Sequence, residues 1–350
     1  MLIYTVQKGD TLYGIFRRYG IAPEKLRCDN RIPGDLSIVP GQTLVLITPP
    51  VYIIRPGDTL SRIADIFGMT PEELLAVNPQ ITTSDMIRTG EKIYISKPKS
   101  PKKAGINGYA YPDTGCEELR AALPHLSYLS IFSYHALKDG SLSPINDLWL
   151  IQCALTFEAS PRMVITNIDV EGNFSGELAH SIFSDETAQD TLMQNVLDIM
   201  RKKGYDGLDV DFEYIFPGDR EGYNRFLRKA AGLMHASGYS LTSAVAPKHS
   251  SNQQGILYEG HDYEAHGQIC DQVIIMTYEW GYTYSSPMAV APADKVRAVL
   301  DYAVSVIPRE KILMGIPNYG YDWTLPYKEG TAAKSIGNHE AVLLAMSKNA

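Results

Sequence analysis

The first hundred residues contain the same pattern twice. "YTVQKGDTLYGIFRRYGIAPEKL" at 4–26 returns as "YIIRPGDTLSRIADIFGMTPEEL" at 52–74, offset by 48 positions. One residue later in register, "VPGQTLVLI" (39–47) matches "RTGEKIYIS" (88–96). A repeat of this length means one supersecondary unit built twice. Each copy reads as a short alternating strand, a Gly-Asp-Thr turn whose Asp or Thr can cap a helix, and a helix with apolar positions at 3/4 spacing (Leu60, Ile63, Ala64, Phe67) that Gly68 is placed to end. A second helix follows. In "TPEE", Thr70 is the cap, Pro71 suits the first helical position and Glu73 completes a capping box. A turn and a final strand close a βααβ unit, at 2–47 and again at 51–96.

The Lys- and Pro-rich stretch "SKPKSPKKAG" then reads as a semi-rigid linker, 97–105. From 106 to 350, strand-like apolar runs alternate with helical ones. Strands are expected at Ile106–Tyr111, Leu126–Ser133, Met163–Ile168, Gly207–Glu213, Ser240–Ala246, Gln272–Tyr278 and Ile312–Pro317, with helices among them at Thr187–Lys203, Tyr223–Ala236 and Asp294–Ile307. Such alternation argues for an α/β fold with a parallel sheet, most simply a TIM-type (β/α)8 barrel. Seven strands are found where eight would close it, and the last residues read as a helix. The expectation is therefore a C-terminally incomplete barrel with two open sheet edges, in a fragment of a longer protein with little or no activity of its own.

Within the fourth of these strands, "DGLDVDFE" (206–213) sets acidic residues among apolar ones. Side chains alternate along a strand. Asp209, Asp211 and Glu213 therefore share one face, and Leu208, Val210 and Phe212 share the other. In a barrel the first face lines the lumen and the C-terminal end of the strand meets the functional mouth, which Glu213 reaches. Crowded carboxylates cannot all ionise cheaply, so at least one must hold its proton to higher pH. A carboxyl protonated near neutrality is the general acid that glycosidic cleavage needs. A structural carboxylate cluster or a cation site is the alternative.

Composition narrows the partners. The net charge is −8, with 12 Lys and Arg against 10 Asp and Glu in the first hundred residues and 20 against 30 in the rest, so no basic stripe suggests nucleic acid. No run approaches the roughly 20 apolar residues of a membrane span, and the first residues lack the pattern of a Sec leader. Four scattered cysteines without CxxC, and eight histidines without HExxH, point to neither a disulfide framework nor a metal site. No cofactor is expected.

The repeat resembles the LysM module, which implies binding of N-acetylglucosamine-containing glycans such as peptidoglycan or chitin. The resemblance rests on "GDTL" at the first turn and "NP" at Asn78-Pro79, and the first copy departs from it with Asn30-Arg31. It assigns glycan binding to Gly9, Asp10, Thr11, Leu12 and Asn30, and to Gly57, Asp58, Thr59, Leu60 and Asn78. The same residues could equally be building turns and caps. "DGLDVDFE" resembles the D-G-x-D-x-D-x-E signature of glycoside hydrolase family 18, joined by "MTYEW" (276–280) and "GIPNYGYDW" (315–323). That resemblance makes Glu213 the acid/base, Asp211 the orienter of a 2-acetamido group, Asp209 its support and Tyr278 a hydrogen-bond partner of the acetamido oxygen, in a retaining, substrate-assisted route. Glu279 stands where the family commonly has Asp. Trp280, Glu279 and Tyr319 are the expected sugar contacts; Trp323, Tyr282 and Tyr284 are further candidates for stacking or cleft lining. Together with "GELAHSIFS", "YEGHDYE" and "PNYGYDWTLP", the arrangement resembles spore peptidoglycan N-acetylglucosaminidases, which act on cortex glycan during germination. A chitinase, or a glycan-binding spore-coat protein on an inert barrel, are the alternatives.

Overall fold

A computed structural model of the chain describes residues 2–34, 36–47, 51–79, 81, 87–95 and 104–348. The expected linker falls outside these residues except at 104 and 105. The chain forms two compact units, one of Met1–Lys103 with Ile336–Ala350 and one of Ala104–Ser335.

The first unit holds the two repeats. In the first, β1 (Leu2–Thr5), α1 (Leu12–Tyr19), α2 (Pro23–Asp29) and β2 (Thr43–Leu46) follow in order, with β1 antiparallel to β2 in the register Leu2↔Leu46. The second repeats this as β3 (Val51–Ile53), α3 (Leu60–Ile66), α4 (Pro71–Ala76) and β4 (Lys92–Tyr94), paired Val51↔Tyr94. Of the two capping candidates in each Gly-Asp-Thr turn, the threonine caps: Thr11 accepts from the Gly14 N–H at 2.9 Å and Thr59 from Arg62 at 3.2 Å. The aspartate instead closes the turn before it. Asp10 accepts from the Gln7 N–H and the Tyr4 hydroxyl, and Asp58 from Arg55 and Tyr52. The capping box at Thr70 and Glu73 is formed.

The second unit carries β5 (Asn107–Ala110), α5 (Cys116–Ala122), β6 (Tyr128–His135), α6 (Leu148–Thr156), β7 (Ser160–Thr166), α7 (Gly176–Ser184), α8 (Glu186–Lys203), β8 (Gly207–Asp211), α9 (Arg220–Ala236), β9 (Ser240–Val245), α10 (Tyr263–Ile269), β10 (Gln272–Ile275), α11 (Ala293–Val306) and β11 (Ile312–Met314). The seven strands β5 to β11 lie side by side in chain order, and every pair is parallel. Among the described residues no eighth strand joins β11 to β5. The sheet is nonetheless curled, as contacts between distant strands demonstrate. Tyr109 on β5 donates to Asp209 on β8 at 2.7 Å. Arg162 on β7 donates to Gln272 on β10 at 2.5 Å, and its guanidinium lies 3.6 Å from the centre of the Tyr128 ring on β6. These chords cross a lumen, so the fold is an incomplete TIM barrel. Its outer face is apolar: Leu208, Val210 and Phe212 are fully buried, and Phe212 stacks on Phe226 of α9 at 5.8 Å. Beyond β11 come β12 (Tyr319–Asp322), β13 (Lys334–Gly337) and α12 (Asn338–Lys348). The last helix sets Met346 into the core of the first repeat, beside residues such as Leu26 and Leu44.

Candidate active site

The acidic run lies as the alternation of side chains requires. Asp209 is fully buried and Asp211 nearly so, while Glu213 reaches partial exposure. The regular strand ends at Asp211, two residues before the expected end, because a side chain replaces the ladder. Asn167, just past β7, accepts from the Glu213 N–H at 2.9 Å and donates to the Glu213 carbonyl at 2.8 Å.

Each carboxyl meets a different environment. Asp209 accepts from Tyr109 at 2.7 Å and from Ser130 at 3.1 Å. Burial pushes its pKa up, and the Tyr109 hydrogen bond and the Arg162 charge pull against that. Asp211 is pushed up further, first by burial and then by the charges of Glu213 and Asp209, and one of its oxygens has no hydrogen-bond partner in the protein. Glu213 is pushed up to about 7 by burial and by the charge of Glu279. Burial also raises the Tyr278 phenol, and the charges of Asp211, Glu213, Glu279 and Asp209 add to it. Tyr278 therefore stands protonated beside the column, able to donate a hydrogen bond.

Glu279 is exposed, with its backbone in the left-handed region at φ 68°. Two phenols hold its carboxylate: Tyr319 donates to one oxygen and Tyr321 lies at 3.0 and 3.1 Å from the two. Tyr319 in turn meets Tyr278 edge-on at 6.5 Å. Tyr278, Glu279 and Tyr319 are thus one assembly with the acidic column. Trp280 turns away from it and packs against the barrel core. The Trp323 indole N–H donates to the Ser285 carbonyl at 2.9 Å, and Tyr282 and Tyr284 are exposed.

In the repeats, Asn30 and Asn78 act as pins. The Asn78 side chain donates to the Leu74 and Tyr94 carbonyls and accepts from the Tyr94 N–H at 2.7–2.8 Å. Asn30 makes the equivalent bonds to Leu26 and Val45. Leu60 is buried. Around the first Gly-Asp-Thr turn, Tyr4, Gly9, Asp10, Thr11, Gly14, Ile15 and Arg18 line a cavity of about 130 Å³. Sequence reasoning missed Asn167, Arg162, Ser130 and Tyr109, whose contacts with the column span tens of residues and leave no local pattern.

The glycosyl hydrolases family 18 pattern matches residues 117–346. The chain belongs to glycosyl hydrolase family 18. It is a glycosidase by family, and the LysM domain pattern matches 4–46 and 52–96. The chain is 40% identical to the cortical fragment-lytic enzyme of Bacillus subtilis (strain 168), over all of this chain and 82% of that protein. It superposes on the crystal structure of the Bacillus cereus spore cortex-lytic enzyme SleL with a TM-score of 0.80 and 38% identity, covering 100% of this chain and 82% of that one. A chitinase from Chromobacterium violaceum matches with a TM-score of 0.63 and 26% identity, over 69% of this chain and 76% of that one.

Proposed function

We propose that this family 18 glycosidase cleaves spore cortex peptidoglycan at N-acetylglucosamine, by a retaining, substrate-assisted mechanism, while the LysM domains hold it to the glycan. The observation that carries the proposal is the graded column: three carboxyls on one strand face, the most exposed of them still protonated near neutral pH, beside a phenol that can donate. In this reading Glu213 protonates the leaving oxygen. Asp211, whose free oxygen faces no protein donor, accepts from the acetamido N–H and orients its carbonyl towards the anomeric carbon. Tyr278 donates to the acetamido oxygen as it closes the ring. Glu213, now ionised, then takes a proton from the incoming water. No enzyme nucleophile is needed. Asp209 holds charge beneath Asp211. Glu279, Tyr319 and Trp280 contribute to the sugar site, with Trp280 supporting the loop from below.

The relatives named for cortical fragments and cortex support the substrate and a spore location. Glycan binding by the LysM domains is assigned to the Gly9–Leu12 and Gly57–Leu60 turns, with Asn30 and Asn78 shaping the surface rather than touching sugar. The test is mass spectrometry and proton NMR of products from purified cortex fragments. Products with N-acetylglucosamine at the new reducing end, released first as the anomer present in the substrate, are expected. Reducing muramic ends, or the opposite anomer, would refute the bond or the mechanism. Cleavage of chitin oligosaccharides with cortex untouched would make the enzyme a chitinase.

A further inference from the structure

The peptide that carries Glu213 is gripped from both sides. From the β7 side, Asn167 bonds both the N–H and the carbonyl of Glu213, and its remaining amide hydrogen goes to the Ser175 carbonyl at 2.9 Å. From the β9 side, His261 donates through Nε2 to the Phe212 carbonyl at 3.0 Å, while its Nδ1 accepts from the Ala246 N–H at 3.0 Å. The plane of the 212–213 peptide is therefore held by two fully buried side chains, one at its carbonyl and one at its N–H. The following turn is clasped as well. A Cβ on Gly176 would sit 2.6 Å from the Tyr214 carbonyl oxygen, and one on Gly260 would sit 2.5 Å from that of Ile215. Only glycine lets the two loops close on the turn. Tyr214 itself takes a left-handed φ of 56°, a conformation that costs free energy unless its surroundings impose it.

The geometry points to a cradle for the general acid, with Asn167 and His261 as positioning residues that fix where the Glu213 carboxyl stands. This rests on Glu213 being the acid. Neither residue touches the column's carboxyls; each acts through the backbone. A carboxyl on a loosely held turn would swing towards water, lose the burial that keeps its proton, and leave the line to the leaving oxygen. Catalytic groups displaced by about 1 Å can lose on the order of 100-fold in rate.

The test uses the full chain carrying Asn167→Ala, Asn167→Ser, His261→Phe or His261→Gln, with kcat and KM on cortex glycan fragments per folded molecule. A fall in kcat of about 10- to 100-fold is expected for Asn167→Ala and His261→Phe, with KM within about twofold. His261→Gln, which keeps a donor and an acceptor, should recover part of it, as should Asn167→Ser. Unchanged kcat per folded molecule in all four would overturn the cradle. A second readout is independent of turnover: the rise in melting temperature that Glu213→Gln produces at pH 8 should shrink when Asn167 or His261 is also replaced, because the freed carboxyl is no longer buried. An undiminished rise overturns the cradle too. If Glu213→Gln alone leaves kcat intact, the acid assignment fails instead, and the two failures are distinguishable.

Discussion

Replacing the proposed acid should make the protein more stable, and by an amount that depends on pH. Glu213 titrates at about 7 in the folded chain against an ordinary value of 4.5. Below pH 4.5 it is protonated in both folded and unfolded states and contributes no pH dependence. Between 4.5 and 7 the folded state keeps a proton that the unfolded state has released, so stability falls as pH rises through this window. Above 7 the loss is complete. At about 1.36 kcal/mol per pH unit it approaches 3 kcal/mol, and the partly exposed side of the carboxyl trims this to roughly 2–3 kcal/mol. Glu213→Gln removes the titration and keeps the shape. In thermal unfolding of the barrel, followed by near-ultraviolet circular dichroism at pH 4.5 and pH 8, the variant should match the wild type at the lower pH. At the higher it should melt about 5–10 °C above it. Turnover on cortex fragments should drop by orders of magnitude while pelleting with intact cortex persists. Equal stability of the two proteins at pH 8, or an advantage that does not vary with pH, would refute the burial and Glu279 charge invoked for this carboxyl.

Three further outcomes follow from the same physics. Glu279→Gln removes the like charge that helps hold the Glu213 proton, so the basic limb of the kcat/KM profile should move to lower pH; a limb that stays in place rules Glu279 out as a tuner. His261 and His266 are buried neutral, with pKa values lowered from 6.5 to about 4 and about 3, chiefly by burial. Their contribution is therefore complete above pH 6.5 and lost as pH falls towards 4; urea unfolding of the Glu213→Gln variant, which is free of the opposing carboxylate trend, should show stability declining over that range, and a flat profile would count against it. Asn78→Ala leaves the buried Tyr94 peptide without its bonds and should cost the second LysM domain about 2–3 kcal/mol, seen as weaker pelleting with cortex at unchanged turnover on soluble fragments.

What was legible in the sequence was whatever repeats or alternates locally. The 48-residue offset and the Thr70-Pro71-Glu72-Glu73 run announced βααβ units down to the capping box, because caps and turns are decided within four residues. The seven barrel strands could be read from short apolar runs, with ends misjudged by a residue or more. β8 is the instructive case. Its pattern continues to Glu213, but Asn167, 46 positions upstream, supplies the bonds a neighbouring strand would have made. No window around either residue contains that information. The same holds for Arg162, which reads as an ordinary strand residue until the curled sheet brings it against Tyr128, Thr242 and Gln272. Asn30 and Asn78 were conspicuous for a different reason than the one their family suggests: a side-chain amide is the smallest group that can pair with both the N–H and the carbonyl of a neighbouring backbone.

The column's gradient follows from what the lumen offers at each depth. At the bottom, Asp209 has two hydroxyl donors and the charge of Arg162 nearby, so ionisation there is partly compensated. One step up, Asp211 has no donor on one oxygen and a carboxyl above and below it. At the top, Glu213 faces a like charge on Glu279 across the mouth. Compensation for negative charge thus runs out in the direction of the open end, and protons are held most firmly in the upper part of the column, where a glycosidic oxygen would arrive. A cation placed beside Glu213 would strip that proton and disarm the acid, whereas the same cation at the foot of the barrel leaves it in place. The position of Arg162, buried on β7 below the reacting groups, is therefore as much a part of the proposed chemistry as the carboxyls themselves.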